Sequence, residues 1–191
     1  MFQIRIHGRG GQGVVTAAEI LSVAAFDEGR HAQAFPSFGS ERTGAPVVSY
    51  CRVDDHEIRT REPVVVPDAL IIQDVTLVHQ VDLFAGLASS GFVLINTSRP
   101  VGELAIDDFL ARFTGTITTC PATELALEYL GRPLPNAALL GGFAALTGEV
   151  GLGALDEAIR ERFAGVVGEK NCTAAHAAFD VVRGGVGARP N

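Results

Sequence analysis

Three glycines near the amino terminus, Gly8, Gly10 and Gly13, stand at the spacing G-x-G-x-x-G, with Arg9, Gly11 and Gln12 between them. Glycines so placed let the chain turn tightly and bring backbone N–H groups close to a ligand, and a helix that follows adds unpaired N–H groups and a positive dipole end. The chemistry this offers is the holding of an anion, most simply a phosphate. A second cluster, Ser40, Arg42 and Thr43 between Gly39 and Gly44, combines a guanidinium fork with hydroxyl donors suited to the same oxygens. It equally describes a surface turn in which Arg42 pairs with Glu41.

The elements that must position these residues are written around them. Phe2, Ile4 and Ile6 alternate with Gln3, Arg5 and His7 at the period of a strand, and Val14, Ala17, Ala18 and Leu21 recur at the spacing of a helix face. The glycines therefore lie in a strand-turn-helix unit; the plainer alternative is that they only permit a close strand-to-helix crossing. The helix is expected to run to about Phe26, with Gly29 as its stop, and residues 31–35 to form a short second strand. A dinucleotide site would place an Asp or Glu at the end of that strand to hold a ribose hydroxyl. Residues 35–46 are instead a Pro/Gly-punctuated loop whose one acid, Glu41, stands beside Arg42, which counts against NAD.

Residues 47–53 read as a strand, followed by a polar turn and a hairpin-like return over 57–61, so a mixed sheet is expected. His56 beside Asp54 and Asp55 fits a solvated turn, since no second set of ligands stands nearby. Residues 67–73 and 92–96 read as buried parallel strands, with Asp74 at the carboxyl end of the first and a helix over about 75–85. Ligands of open α/β sheets gather at such strand ends, which places Gln73, Asp74, Asn96, Thr97 and Ser98 on the same rim as the glycine turn. These residue types also cap helices and close turns. After a short strand over 116–119 the chain is helical. Pro121 opens a helix to Leu130. Residues 135–147 are small and apolar on nearly every side, as in a helix packed closely by neighbours or by another subunit. Residues 155–163 are amphipathic, and 171–182 form a last helix before a Gly/Pro tail. The expected fold is one α/β domain: a Rossmann-like open sheet, mostly parallel, with helices on both faces, sheet-containing over 1–120 and helical over 121–191.

Composition narrows the function. A chain of 191 residues with a net charge of −7, and with Lys170 as its one lysine, lacks the basic face that a nucleic acid needs. Cys51, Cys120 and Cys172 are far apart, without a C-x-x-C, so neither a disulfide framework nor a zinc or iron–sulfur site is expected. There is no apolar run of membrane-spanning length and no export signal, and a cytoplasmic protein is the expectation. No G-x-S-x-G or H-E-x-x-H occurs, and Glu124 and Glu128, one helical turn apart, fit a solvated helix face. No catalytic set is written here, so if the chain belongs to an enzyme its chemistry is expected elsewhere.

Residues 8–13 with the Thr16-Ala17-Ala18 helix, the segment 32–46, and Pro135-Asn136-Ala137-Ala138-Leu139-Leu140-Gly141 together resemble the gamma subunit of 2-oxoacid:acceptor oxidoreductases of the pyruvate synthase type. The resemblance covers nearly the whole chain. It implies a hetero-oligomeric enzyme that decarboxylates a 2-oxoacid to an acyl-coenzyme A. Thiamine diphosphate and magnesium would be bound by alpha and beta subunits, and the iron–sulfur clusters by a ferredoxin-like subunit. It also implies that the gamma chain helps to hold coenzyme A, with Gly10, Gly11 and Gln12 of the turn and Ser40, Arg42 and Thr43 of the loop as candidates for its phosphates. The resemblance implies a 2-oxoacid substrate, pyruvate or a branched or aryl relative such as phenylglyoxylate. Two readings compete with this one: a stand-alone NAD-dependent dehydrogenase, and a structural scaffold subunit whose glycines serve packing only.

Overall fold

The computed structural model describes residues 1–37 and 43–186. Six strands form one sheet in the order β2-β3-β1-β4-β5-β6. At its centre β1 (Phe2–Arg9) runs antiparallel to β3 (Pro46–Asp54) on one side and parallel to β4 (Ala69–Ile72) on the other. Strand β2 (His31–Pro36) pairs antiparallel with β3, and β5 (Phe92–Asn96) and β6 (Thr116–Cys120) extend the parallel side. The sheet is mixed, as expected, but the antiparallel partners differ. Residues 57–61 form no strand, and β3 pairs with β2 and β1 instead. The return segment has only Ile58 to bury, whereas Ala32 and Ala34 of β2 pack against the core.

One face of the sheet carries the long helices. In α1 (Val14–Asp27) the buried positions Val14, Ala17, Ala18, Leu21, Ala24 and Ala25 repeat every three or four residues and meet Ile4, Ile6, Cys51 and Val53. Helix α4 (Asn136–Thr147) is buried along almost its whole length, because it lies between the sheet and α6 (Val166–Val186). A Cβ on Gly142 would stand 3.1 Å from Val182 Cγ2 on one side and 3.4 Å from Leu94 Cδ2 on the other. The neighbours that its composition demands are thus within the chain. Helices α3 (Ala122–Leu130) and α5 (Leu152–Arg162) flank this layer. Helix α6 starts at Val166, ahead of residue 171, and its first residues Val166 and Val167 are exposed, so no burial period announces that turn.

The opposite face is covered by short pieces: 3-10 turns at Val75–His79 and Val101–Glu103 and the single-turn α2 (Asp107–Leu110). Leu77, Leu83, Leu104 and Ile106 cover Leu70, Ile72, Val93 and Ile95 there. The helix expected over 75–85 is only the first of these turns, because Leu77 is its one buried residue and so little apolar contact cannot sustain a longer helix. Over β1 and β3 this face is polar. Arg5 Nη2 donates to the carbonyls of Leu83 and Ala85 at 2.8 and 2.7 Å. Arg52 donates to Gln3 Oε1 at 3.1 Å and to the Glu62 carbonyl, and lies over the Phe35 ring. Two guanidinium groups thus hold down segments that have no regular structure of their own.

His7 is 7% exposed on this polar face. Burial, helped by the charge of Arg5, lowers its pKa to about 4. The unfolded chain binds this proton near pH 6.5 and the folded chain does not. Stability is therefore complete above about pH 6.5 and declines as pH falls towards 4, by an amount on the order of 3 kcal/mol. Urea denaturation at a series of pH values should show this slope, and His7→Leu should flatten it.

Candidate functional site

The three glycines of the motif do three different things. Gly8 still belongs to β1, and a Cβ there would stand 2.6 Å from Val14 Cγ2, so this glycine lets α1 pack on the strand. Gly10 bridges to Thr43: its N–H donates to the Ala45 carbonyl at 2.9 Å, and its own carbonyl accepts from the Gly44 N–H at 3.1 Å. Gly13 is the N-cap of α1 at φ 75°, with no side chain capping the helix, and a Cβ there would meet Asn136 Nδ2 at 2.6 Å. Gly11, at φ 94°, is exposed and has no atom within 4 Å of its Cβ position. The first turn of α1 opens, beside Gly11, onto a cleft of about 300 Å³ bounded by Arg9, Thr16 and Val47. An uncapped helix end over an open, glycine-lined cleft is chemically an anion seat.

A side-chain network fixes the turn. Arg9 donates through Nε to Asp74 Oδ2 at 3.0 Å, through Nη1 to the Gly44 carbonyl at 3.1 Å, and through Nη2 to Thr76 Oγ1 and Gln80 Oε1 at 2.7 and 2.8 Å. Gln12 Oε1 accepts from the Arg9 N–H at 2.7 Å, and Gln12 Nε2 donates to Asp74 Oδ2 at 3.0 Å. Burial alone would raise the Asp74 pKa. Hydrogen bonds from Thr76 and Gln12 and the charge of Arg9 outweigh it and hold the carboxyl below its ordinary value. Asp74 therefore stays a carboxylate that ties the glycine turn, the end of the 43–45 loop and the 3-10 turn together.

Gly10 and Gln12 use donors to build the turn, while Gly11 and the start of α1 keep theirs open among the described residues. Thr43 is brought directly beside Gly10, while Ser40 and Arg42, with Glu41, lie outside the described residues. Of the rim residues, Asn96 accepts from the Thr123 N–H at the start of α3 and donates to the Gln73 carbonyl and Thr123 Oγ1, so it joins strand ends. Thr97 Oγ1 accepts from the Arg99 N–H, and Asp74 caps its own 3-10 turn. None of the three thiols is poised for chemistry: burial pushes Cys51 and Cys120 up to about 12 and Cys172 to about 11. Arg9, Asn136 and the cavity beside Asn136 were not expected as parts of the site. Only the Asp74-x-Thr76 capping pattern could have signalled the network from sequence.

The arrangement also bears on a dinucleotide. In the unit that binds one, a parallel strand lies beside the first and ends in the ribose acid. Here antiparallel β3 occupies that position and presents its starting residues, Pro46 and Val47, to the turn.

Residues 3–181 match the sequence profile of the pyruvate ferredoxin/flavodoxin oxidoreductase family. The chain belongs to this family, among its gamma subunits. Within it, the chain is 47% identical over 180 residues to the pyruvate/ketoisovalerate oxidoreductases common subunit gamma of Thermococcus kodakarensis, covering 94% of this chain and 96% of the relative. It is 46% identical over 183 residues to the pyruvate synthase subunit PorC of Methanothermobacter marburgensis, covering 96% and 98%. The crystal structure of the pyruvate oxidoreductase subunit PORC of Thermotoga maritima superposes with a TM-score of 0.80 at 33% identity over 94% of this chain and 95% of that one. Among the described residues no helix is long and apolar enough to cross a membrane. The same holds for metal ligands: no group of three His, Cys, Asp or Glu residues is gathered closely enough to hold an ion there.

Proposed function

We propose that this subunit serves a thiamine-diphosphate and iron–sulfur dependent 2-oxoacid:acceptor oxidoreductase by supporting its assembly and seating the phosphates of coenzyme A. The thiamine-binding alpha and beta subunits and a ferredoxin-like subunit carry the redox chemistry. The observation that carries the coenzyme A reading is the open Gly11 beside the uncapped start of α1, with Thr43 held next to Gly10. Backbone N–H groups there meet phosphate oxygens without a side chain in the way. Asp74 takes no part in holding the anion, since Arg9 and Gln12 screen its charge. Arg42 directly precedes Thr43 in sequence and Ser40 stands two residues before Arg42; in this reading Arg42 supplies a charged donor and Ser40 a hydroxyl. Coenzyme A, when bound, supplies the thiol that takes up the acyl group.

Arg42→Ala in the assembled enzyme tests this reading. Loss of one charge-assisted contact of about 1.5–3 kcal/mol should raise the KM for coenzyme A by roughly 10- to 100-fold, with subunit stoichiometry unchanged. An unchanged KM would remove Arg42 from the site and favour the scaffold reading.

A further inference from the structure

Beside the glycine turn, Gly11, Gly13 and Thr16 together with residues of α4, α6 and the segment before α4 line a cavity of about 550 Å³. Its walls are apolar: Leu134, Phe163 and Val166 line it, and Val166 is 72% exposed. Two buried amides lie deep in it. Asn136, 6% exposed, accepts from the Ala137 N–H through Oδ1, and its Nδ2 has no partner among the described residues. Asn171, 2% exposed, donates through Nδ2 to the Val167 carbonyl at 2.9 Å, and its Oδ1 has no partner among the described residues. One amide thus keeps a donor and the other an acceptor available to a ligand in the same space. Arg132 and Lys170 are exposed at the same cavity, and neither makes an ion pair among the described residues. In a chain of net charge −7, two unpaired cations beside an apolar space make a site of definite chemical preference.

We propose that this cavity binds a small amphipathic carboxylate. The apolar body lies against Leu134, Phe163 and Val166, the anionic head meets Arg132, Lys170 and Asn136 Nδ2, and one N–H or O–H group of the ligand donates to Asn171 Oδ1. The size suits a ligand of modest length, and the walls offer no aromatic pair for a base to stack between. The cavity meets the coenzyme A seat at Gly11, Gly13 and Thr16, but the groups assigned to the carboxylate come from α4, α6 and the segment before α4, so the inference stands or falls on them and not on the coenzyme A reading.

The test is titration of the isotope-labelled full chain with N-acetyl-L-leucine, followed by NMR. We expect saturable shifts in the side-chain amide signals of Asn136 and Asn171. The methyl ester, which lacks the charge, and acetate, which lacks the apolar body, should each bind at least about tenfold more weakly. The double variant Arg132→Glu/Lys170→Glu, altered only at exposed positions, should lose at least about tenfold in affinity with its Tm unchanged. Three results would each overturn the proposal: no saturable shift, equal binding of the ester, or equal binding by the double variant. Coenzyme A added to the acid-saturated chain gives the last arm. Displacement of the acid would make the cavity part of the coenzyme A seat and end the proposal of a separate site, whereas retention supports it. The KM measured for Arg42→Ala is independent of all these readouts, so the two readings fail separately.

Discussion

Gly141→Ala separates the two helices that form the centre of the helical face. A Cβ at Gly141 would lie on the Ala175 carbonyl of α6, 1.9 Å from its oxygen and 2.5 Å from its carbon. The obstacle is backbone, so no rotamer change relieves it, and α6 must move as a body away from Cys120, Phe143 and Leu139. Overpacking of flexible side chains costs about 1–3 kcal/mol, and this case stands at or beyond the upper end. Against a total stability of about 5–15 kcal/mol, the expected outcome is a large fall in the urea midpoint or loss of soluble protein. Gly153→Ala is the control: that glycine is in α5 with open space around it, and the change should be neutral or stabilise by up to about 1 kcal/mol. If both variants unfold at the midpoint of the natural chain, the close α4–α6 crossing is not a stabilising contact.

The second large effect is expected at the glycine turn, where neighbouring glycines should respond differently. Gly13→Val meets Asn136 Nδ2 at 2.6 Å and also forces a β-branched residue to φ 75°, so both the α1 cap and the contact with α4 are disrupted. A loss of at least ~3 kcal/mol is expected, read as a lowered Tm of the isolated chain. Gly11→Val has strain but no clash, since φ is 94° and the surrounding space is open. It should cost only about 1–2 kcal/mol in stability. Its main consequence is functional: the branched side chain stands over the free backbone donors, and the KM for coenzyme A in the assembled enzyme should rise more than it does for Arg42→Ala. Equal effects of the two valines on Tm would contradict the division of roles between these glycines.

Much of the fold could be read from the chain alone because it is written in local periods. Ile4 and Ile6 against Arg5 and His7, the three-and-four spacing of α1, and the uninterrupted apolar runs of β4 and β5 each announce their element within a few residues. The partner of β3 could not be read that way. Whether β2 or residues 57–61 takes the place beside it depends on what α1 covers, which is a property of the assembled sheet. The site divides similarly. The glycine spacing marked the turn correctly, but a local pattern cannot say which amide donors are already occupied. Arg9 meets Asp74, Thr76 and Gln80 only because β1 and β4 are neighbours, and Gln12 turns inward for the same reason. Asn136 was noticed only as part of a sequence block; its contact with Gly13 joins residues that only the packing of α4 on α1 brings together.

That contact between Gly13 and Asn136 sets a timetable for biosynthesis. The glycine motif emerges from the ribosome before α4 and α6. Its supporting amide lies in α4, and the far wall of the adjoining cavity lies in α6. Until those residues have been made, β1 and α1 expose the apolar surface that α4 and α6 will cover, and the turn has no rear support. The motif, though made before α4 and α6, therefore reaches its working geometry only after them, and a ribosome stalled before α6 would display the complete glycine motif in a chain that cannot yet shape its site.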